Sequence, residues 1–209
     1  MADWRETDFD AAAMEPYVDW FAFMAYDLHG VCEYRFQQRS SLPSLTPLGA
    51  GESDSKKKIV RGQAEASEIY TNIIPLAFAG LNFSKINFGM AIYGRGFKLR
   101  DPNCRSMDGS CYWDAGNEPG TCTSFSGVLS YDEIQEKVAT AKRNGNAQPV
   151  LDPTTMMKSF TWGLNNEHWI GYDDEDTWEM KRDNLADKYG FGKWLYYPYM
   201  AHLVSRFRT

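Results

Sequence analysis

The sequence lacks any excess of positive charge: 22 Lys and Arg stand against 28 Asp and Glu, for a net charge of −6. A partner held by its phosphate backbone calls for a basic face, so no nucleic acid is expected. The only basic run, "SDSKKKIVR" at 53–61, reads as a solvated loop. No apolar stretch approaches the roughly 20 residues that span a bilayer, so no membrane segment is expected. Histidine is scarce, and the three that occur, at 29, 168 and 202, are far apart. The four cysteines show no paired CxxC spacing, so neither a metal site nor a cofactor is expected. The N-terminus, "MADWRETDFDAAAMEP", is acidic and has no basic segment followed by an apolar one, so it is not read as a signal peptide.

Those cysteines are also unevenly placed. Cys104, Cys111 and Cys122 are clustered while Cys32 stands alone. All four are disulfide candidates, and one of the clustered three must pair with Cys32, pair outside the chain or remain free. Disulfide use points to an oxidising compartment. The missing leader conflicts with that, which is the expectation for a chain that is not a whole natural protein.

What the sequence does hold is aromatic: 7 Trp, 12 Tyr and 12 Phe, 15% of the residues. Such rings fill cores, and they also stack on sugars and other flat ligands. Residues 17–30, "YVDWFAFMAYDLHG", form a near-continuous apolar run over Val18–Tyr26, which suits a strand buried on both faces. Residues 31–60, containing "SSLPSLTPLGAGESDSKKK", read as a long loop. A helix is expected over 64–79, with Pro75 able to kink it, and a second apolar strand over Ile86–Tyr93. A helix near 131–142 is announced by a capping box of Ser130 and Glu133. "MMKSFTWGLNNEHWIGY" reads as two strands around a turn at Asn165 and Asn166. Asp173 or Asp174 then caps a final helix that Gly190 ends, and "KWLYYPYM" is the last strand. Helix–turn–strand order of this kind is that of an α/β architecture. Three of the strands end in polar or phenolic residues: Tyr26 and Asp27, Tyr93 and Arg95, and Tyr197. In α/β barrels, functional residues collect at such strand ends.

At these residues the chain resembles glycoside hydrolase family 18. "VDWFAFMAYDLHG" is similar to the family's sixth strand, with its Met-x-Tyr-Asp and His-Gly, and "INFGMAIYGRGFKL" to its seventh. "GNEPGTCTSFSGVLSYDEI" resembles the α+β insertion of fungal and animal chitinases, and "KSFTWGLNNEHWIGYDDEDTWEMKRDNLADKYGFG" the approach to the eighth strand. The resemblance covers about 8–30 and 68–193 and is nearest to fungal secreted chitinases. It implies an α/β fold: a partial (β/α)8 TIM barrel, about the last three strands, with an inserted α+β subdomain. Residues 1–96 and 166–209 would form the barrel part and 97–165 the insertion. The partners it implies are chitin or N-acetylglucosamine oligomers, cut with retention through the substrate's own acetamido group. The same resemblance implies an extracellular location.

By that resemblance Tyr26 orients the acetamido group, as a phenol can without titrating near neutral pH. Asp27 binds the sugar in the same subsite, and Met24 lies beneath the N-acetyl group or else simply packs in the core. Tyr93 and Arg95 line the cleft, and Tyr197 falls where the family carries a stacking tryptophan. The family's acid, the Glu of Asp-x-x-Asp-x-Asp-x-Glu, has no counterpart; "YDDEDTWE" at 172–179 reads as helix capping. The chain is thus expected to lack the first four or five strands, to be catalytically inactive alone and to be marginally stable. A non-catalytic chitin-binding remnant and a product of a faulty gene model are the alternatives. One glycosylation triplet, Asn82-Phe83-Ser84, carries meaning only in a secreted chain.

Overall fold

The computed structural model describes residues 10–31, 58–144 and 148–197. Residues 32–57 of the loop expected over 31–60, with Cys32 among them, and the chain after Tyr197 lie outside the described residues. Two sheets carry the described residues. The first is parallel and three-stranded, and joins β1 (Phe21–Met24) to β2 (Ile86–Ala91) and β2 to β9 (Lys193–Tyr197). In register, Met24 faces Gly89 and Ala91 faces Tyr197, so the C-terminal ends of all three strands lie side by side.

A short helix, α1 (Ala11–Met14), precedes β1, and helix α2 (Ala66–Phe78) lies on the path from β1 to β2 and buries Ile69 and Ile73. Pro75 lies inside it, and Gly80 follows at φ 74°. Between β2 and β9 runs α4 (Glu175–Lys181), which continues through a π-turn at Arg182–Ala186. Asp174 is its N-cap, with Thr177 returning the bond, and Gly190 at φ 73° ends the segment as the sequence predicts. Phe23, Phe88 and Phe191 meet on the helix side with centroids 5.2–5.9 Å apart.

Strand β1 differs from its expectation. It covers only Phe21–Met24, and Phe21 and Phe23 turn inward while Ala22 and Met24 are exposed. The reason is positional: it is an edge strand with one covered face, so its side chains alternate even though its sequence does not.

The second sheet is antiparallel. Its order is β4 (Trp113–Gly116), β3 (Tyr93–Leu99), β8 (His168–Tyr172), β7 (Met157–Trp162), β6 (Val150–Asp152), with β5 (Val128–Ser130) also on β3. One face carries a stack of Trp113, Phe97 and Trp169, with neighbouring centroids 5.0 and 5.8 Å apart. Helix α3 (Tyr131–Arg143) covers the other through Ile134, which packs with Leu129, Phe160 and Ile170. The strand expected over Ile86–Tyr93 is therefore two strands. Ile92 alone separates β2 from β3, and the chain passes there from one sheet to the other. The antiparallel sheet also takes in 93–96 and 168–172, beyond the sequence division at 97 and 165. Among the described residues Cys104 and Cys111 form a disulfide and Cys122 is a free, exposed thiol.

The capping box on α3 does more than end a helix. Glu133 Oε2 accepts from the Ser130 amide at 2.9 Å, and Oε1 accepts from the Cys122 and Thr123 amides at 2.6 and 3.1 Å. Burial pushes the Glu133 carboxyl up, but these donors outweigh it and hold the group below its ordinary range. The stability it contributes is present above the unfolded value and is lost as pH falls through the folded one. Glu133→Ala strands three amides and is expected to cost about 3 kcal/mol by denaturant titration. Glu133→Gln is expected to flatten the acid limb of the stability profile.

Candidate functional site

The polar strand ends predicted from sequence converge. Asp27 lies three residues beyond β1 at φ 61°, a left-handed conformation that aspartate tolerates better than most residues. Its Oδ1 accepts from the Tyr93 hydroxyl at 2.5 Å and from Arg95 Nε at 2.6 Å. Both donors stand on β3, two residues apart and so on one face. Burial first, then the Asp27 carboxylate, pushes the Tyr93 hydroxyl well above the usual tyrosine range, so it remains a donor. Tyr26 meets the Tyr93 ring edge-on at 6.2 Å and packs with Ala91 and Val128. The result is a half-exposed carboxylate whose position is fixed by a buried phenol and a nearly covered guanidinium.

Two predicted residues lie differently. Met24 is 65% exposed on the open face of the parallel sheet, in register with Gly89, so it does not pack in the core. Tyr197 ends β9 in register with Ala91, and its side chain lies outside the described residues.

The loop carrying Asp27 is tied down by residues whose part sequence reasoning missed. The Leu28 amide donates to the Gln63 carbonyl at 2.9 Å, and Gln63 Nε2 donates to the Tyr93 carbonyl at 2.7 Å. His29 Nε2 lies 2.7 Å from Glu68 Oε2, and both are buried, which links the loop to α2. Gly30 gives Arg95 its room, since a Cβ there would lie 2.8 Å from Arg95 Cδ and the arginine side chain would have to shift. The His-Gly pair after the strand was the only sequence signal for these contacts. Gly30→Ala is expected to push Arg95 off Asp27 and to cost about 1–2 kcal/mol, read by thermal melting.

Elsewhere, a cavity of about 450 Å³ opens between α3 and the β7–β8 turn, lined by Glu136, Lys137, Thr140, Asn144, Trp162 and Asn166. It belongs to the other side of the antiparallel sheet. Gly94 faces Ile134 of α3, so Tyr93 and Arg95, of opposite parity, point away from it. Among the described residues no group of three His, Cys, Asp or Glu could hold a metal ion, and no helix is long and apolar enough to cross a membrane.

Comparison with known proteins places this arrangement. The chain is 28% identical over 188 residues to the probable chitinase LysM11 of Penicillium expansum, covering 86% of this chain and 16% of that protein. It is 26% identical over 195 residues to the secreted chitinase LysM12 of the same organism, covering 90% of this chain and 12% of that one. A class V chitinase from Nicotiana tobaccum, solved as a point mutant in complex with NAG4, superposes with a TM-score of 0.65 at 18% identity. That match covers 90% of this chain and 46% of the tobacco chain. The chain thus spans less than half the length of each. Its fold is that of family 18 chitinases, and residues 2–196 match the model of Glycosyl hydrolases family 18; the chain belongs to that family.

Proposed function

We propose that this chain forms the substrate-side part of a family 18 site for N-acetylglucosamine oligomers, and that on its own it does not hydrolyse them. The three parallel strands then stand as the last three of a (β/α)8 barrel, with the antiparallel sheet and α3 as the insertion. The observation that carries the reading is the sharing of Asp27 Oδ1 between Tyr93 and Arg95. It fixes the carboxylate while leaving Oδ2 with no partner among the described residues, available to a sugar hydroxyl or amide. Tyr26 beside it supplies a second polar tip at the same strand end. In this reading Tyr26 orients the acetamido group and Asp27 and Arg95 bind the sugar, while Met24 floors the subsite and Tyr197 borders it.

Hydrolysis with retention needs an acid on the leaving oxygen, and no Asp-x-x-Asp-x-Asp-x-Glu occurs in the sequence. The chain is assigned to chitin degradation outside the cell, in keeping with its disulfide. Titration calorimetry with N-acetylglucosamine tetramer is expected to show binding, and a fluorogenic chitobioside is expected to remain uncut. Turnover that disappears in Tyr26→Phe would overturn the inactivity, and absence of tetramer binding would overturn the site. The missing acid motif equally favours a lectin-like role. Retention on chitin beads that Asp27→Asn abolishes supports that second reading.

A further inference from the structure

Asn82-Phe83-Ser84 is the only Asn-x-Ser/Thr triplet in the sequence, and the site at Asp27 makes no use of it. It lies in the connection between α2 and β2, where Asn82 caps a single 3-10 turn over Phe83–Lys85. Asn82 and Ser84 are exposed, while the residue between them is held: the Phe83 ring meets Phe191 edge-on at 5.0 Å. The same segment is anchored on its far side, where Lys85 Nζ donates to the Glu15 carbonyl at 2.8 Å.

The orientation of the carboxamide is settled by its neighbours. The Ser84 backbone amide donates to it at 3.0 Å and the Ser84 hydroxyl at 2.8 Å. An N–H can only donate, so the atom receiving it is Oδ1 and the other arm is Nδ2. That nitrogen, the atom modified in N-glycosylation, projects from an exposed turn with no hydrogen-bond partner among the described residues. A second observation, independent of the triplet, concerns the compartment. Cys104 and Cys111 are joined in a disulfide, which forms and persists where secreted chains mature.

From these we infer that Asn82 is the acceptor of an N-linked glycan. The reaction joins Asn82 Nδ2 to the anomeric carbon of a lipid-pyrophosphate-linked oligosaccharide. The bond from that carbon to the pyrophosphate breaks, the lipid pyrophosphate leaves with the electron pair, and the amide loses one proton to the transferase. The position suits a bulky modification. Asn82 precedes the N-terminal end of β2, whereas Tyr93 and Asp27 lie past the opposite end, some 20 Å away along a six-residue strand. The glycan therefore covers the side of the parallel sheet remote from the sugar site and leaves that site open.

The test is translation of the full chain behind a cleavable secretory leader with microsomes. Only the protease-protected, luminal fraction is scored. Most of that fraction is expected to carry one endoglycosidase-sensitive glycan, and the tryptic peptide 62–85 is expected to hold Asn82 converted to aspartate after enzymatic release. Asn82→Gln and Ser84→Ala should each abolish the shift, and Ser84→Thr should retain it. Luminal wild-type chain that runs unshifted overturns the inference, and so does a shift that survives Asn82→Gln.

Discussion

Lys181→Ala is expected to destabilise the fold by about 3–5 kcal/mol, the cost of leaving one member of a buried ion pair without its partner. Lys181 Nζ lies 2.6 Å from both carboxylate oxygens of Asp173, and neither side chain reaches solvent. Burial pushes the Asp173 carboxyl up and the Lys181 amine down, each toward its neutral form. This is the behaviour of a pair whose desolvation opposes its attraction. Removing both charges should therefore restore most of the loss: Asp173→Leu with Lys181→Met is expected to lie within about 1–2 kcal/mol of wild type, because a packed apolar pair has no desolvation to recover. Urea titration of wild type and the two variants checks the pattern. A double variant as unstable as Lys181→Ala would mean that Lys181 acts through another contact. The effect reaches the site, since Trp178, one turn earlier on α4, donates from Nε1 to the Ala91 carbonyl at 3.1 Å, just before Tyr93.

Asp27→Asn is expected to weaken oligosaccharide binding by about 30–150-fold, roughly the 2–3 kcal/mol carried by hydrogen bonds to a charged acceptor. Asparagine is chosen because it tolerates the left-handed backbone at φ 61° and keeps an oxygen for the Tyr93 hydroxyl. A melting temperature close to wild type with binding lost places the effect in the ligand rather than in the fold. Arg95→Lys should lose less, since an ammonium can pair with Asp27 but cannot present a planar fork. Calorimetry with the tetramer checks both. Asp27→Asn with unchanged affinity would remove Asp27 from the site.

The parts of this arrangement legible in the sequence are those written locally. Ser130 and Glu133 announce α3 because a capping box is a four-residue event, and Asn165–Asn166 announce the β7–β8 turn for the same reason. Tyr26, Asp27, Tyr93 and Arg95 stand out because each ends or follows an apolar run, a signal that survives without knowing the pairing. What is not legible is decided across distance. The glutamate at 68 reads as an exposed first-turn acid of a helix, and only tertiary packing sets it against His29. Gly30 looks like ordinary turn chemistry until Arg95, 65 positions away, arrives beside it. The break at Ile92 is invisible because the run from Ile86 to Tyr93 is largely apolar, and nothing in such a run records a change of sheet.

That break limits how the antiparallel sheet can be exchanged among relatives. A subdomain joined by loose loops can be cut out and replaced like a cassette. Here the N-terminal border is a single buried residue between a parallel and an antiparallel strand. One residue more or fewer would turn Tyr93 and Arg95 to the α3 side and bring Gly94 toward Asp27. Recombination that swaps this region must therefore break elsewhere, between β3 and β4 or between α3 and β6. Tyr93 and Arg95 then travel with the parallel strands they serve rather than with the sheet that holds them.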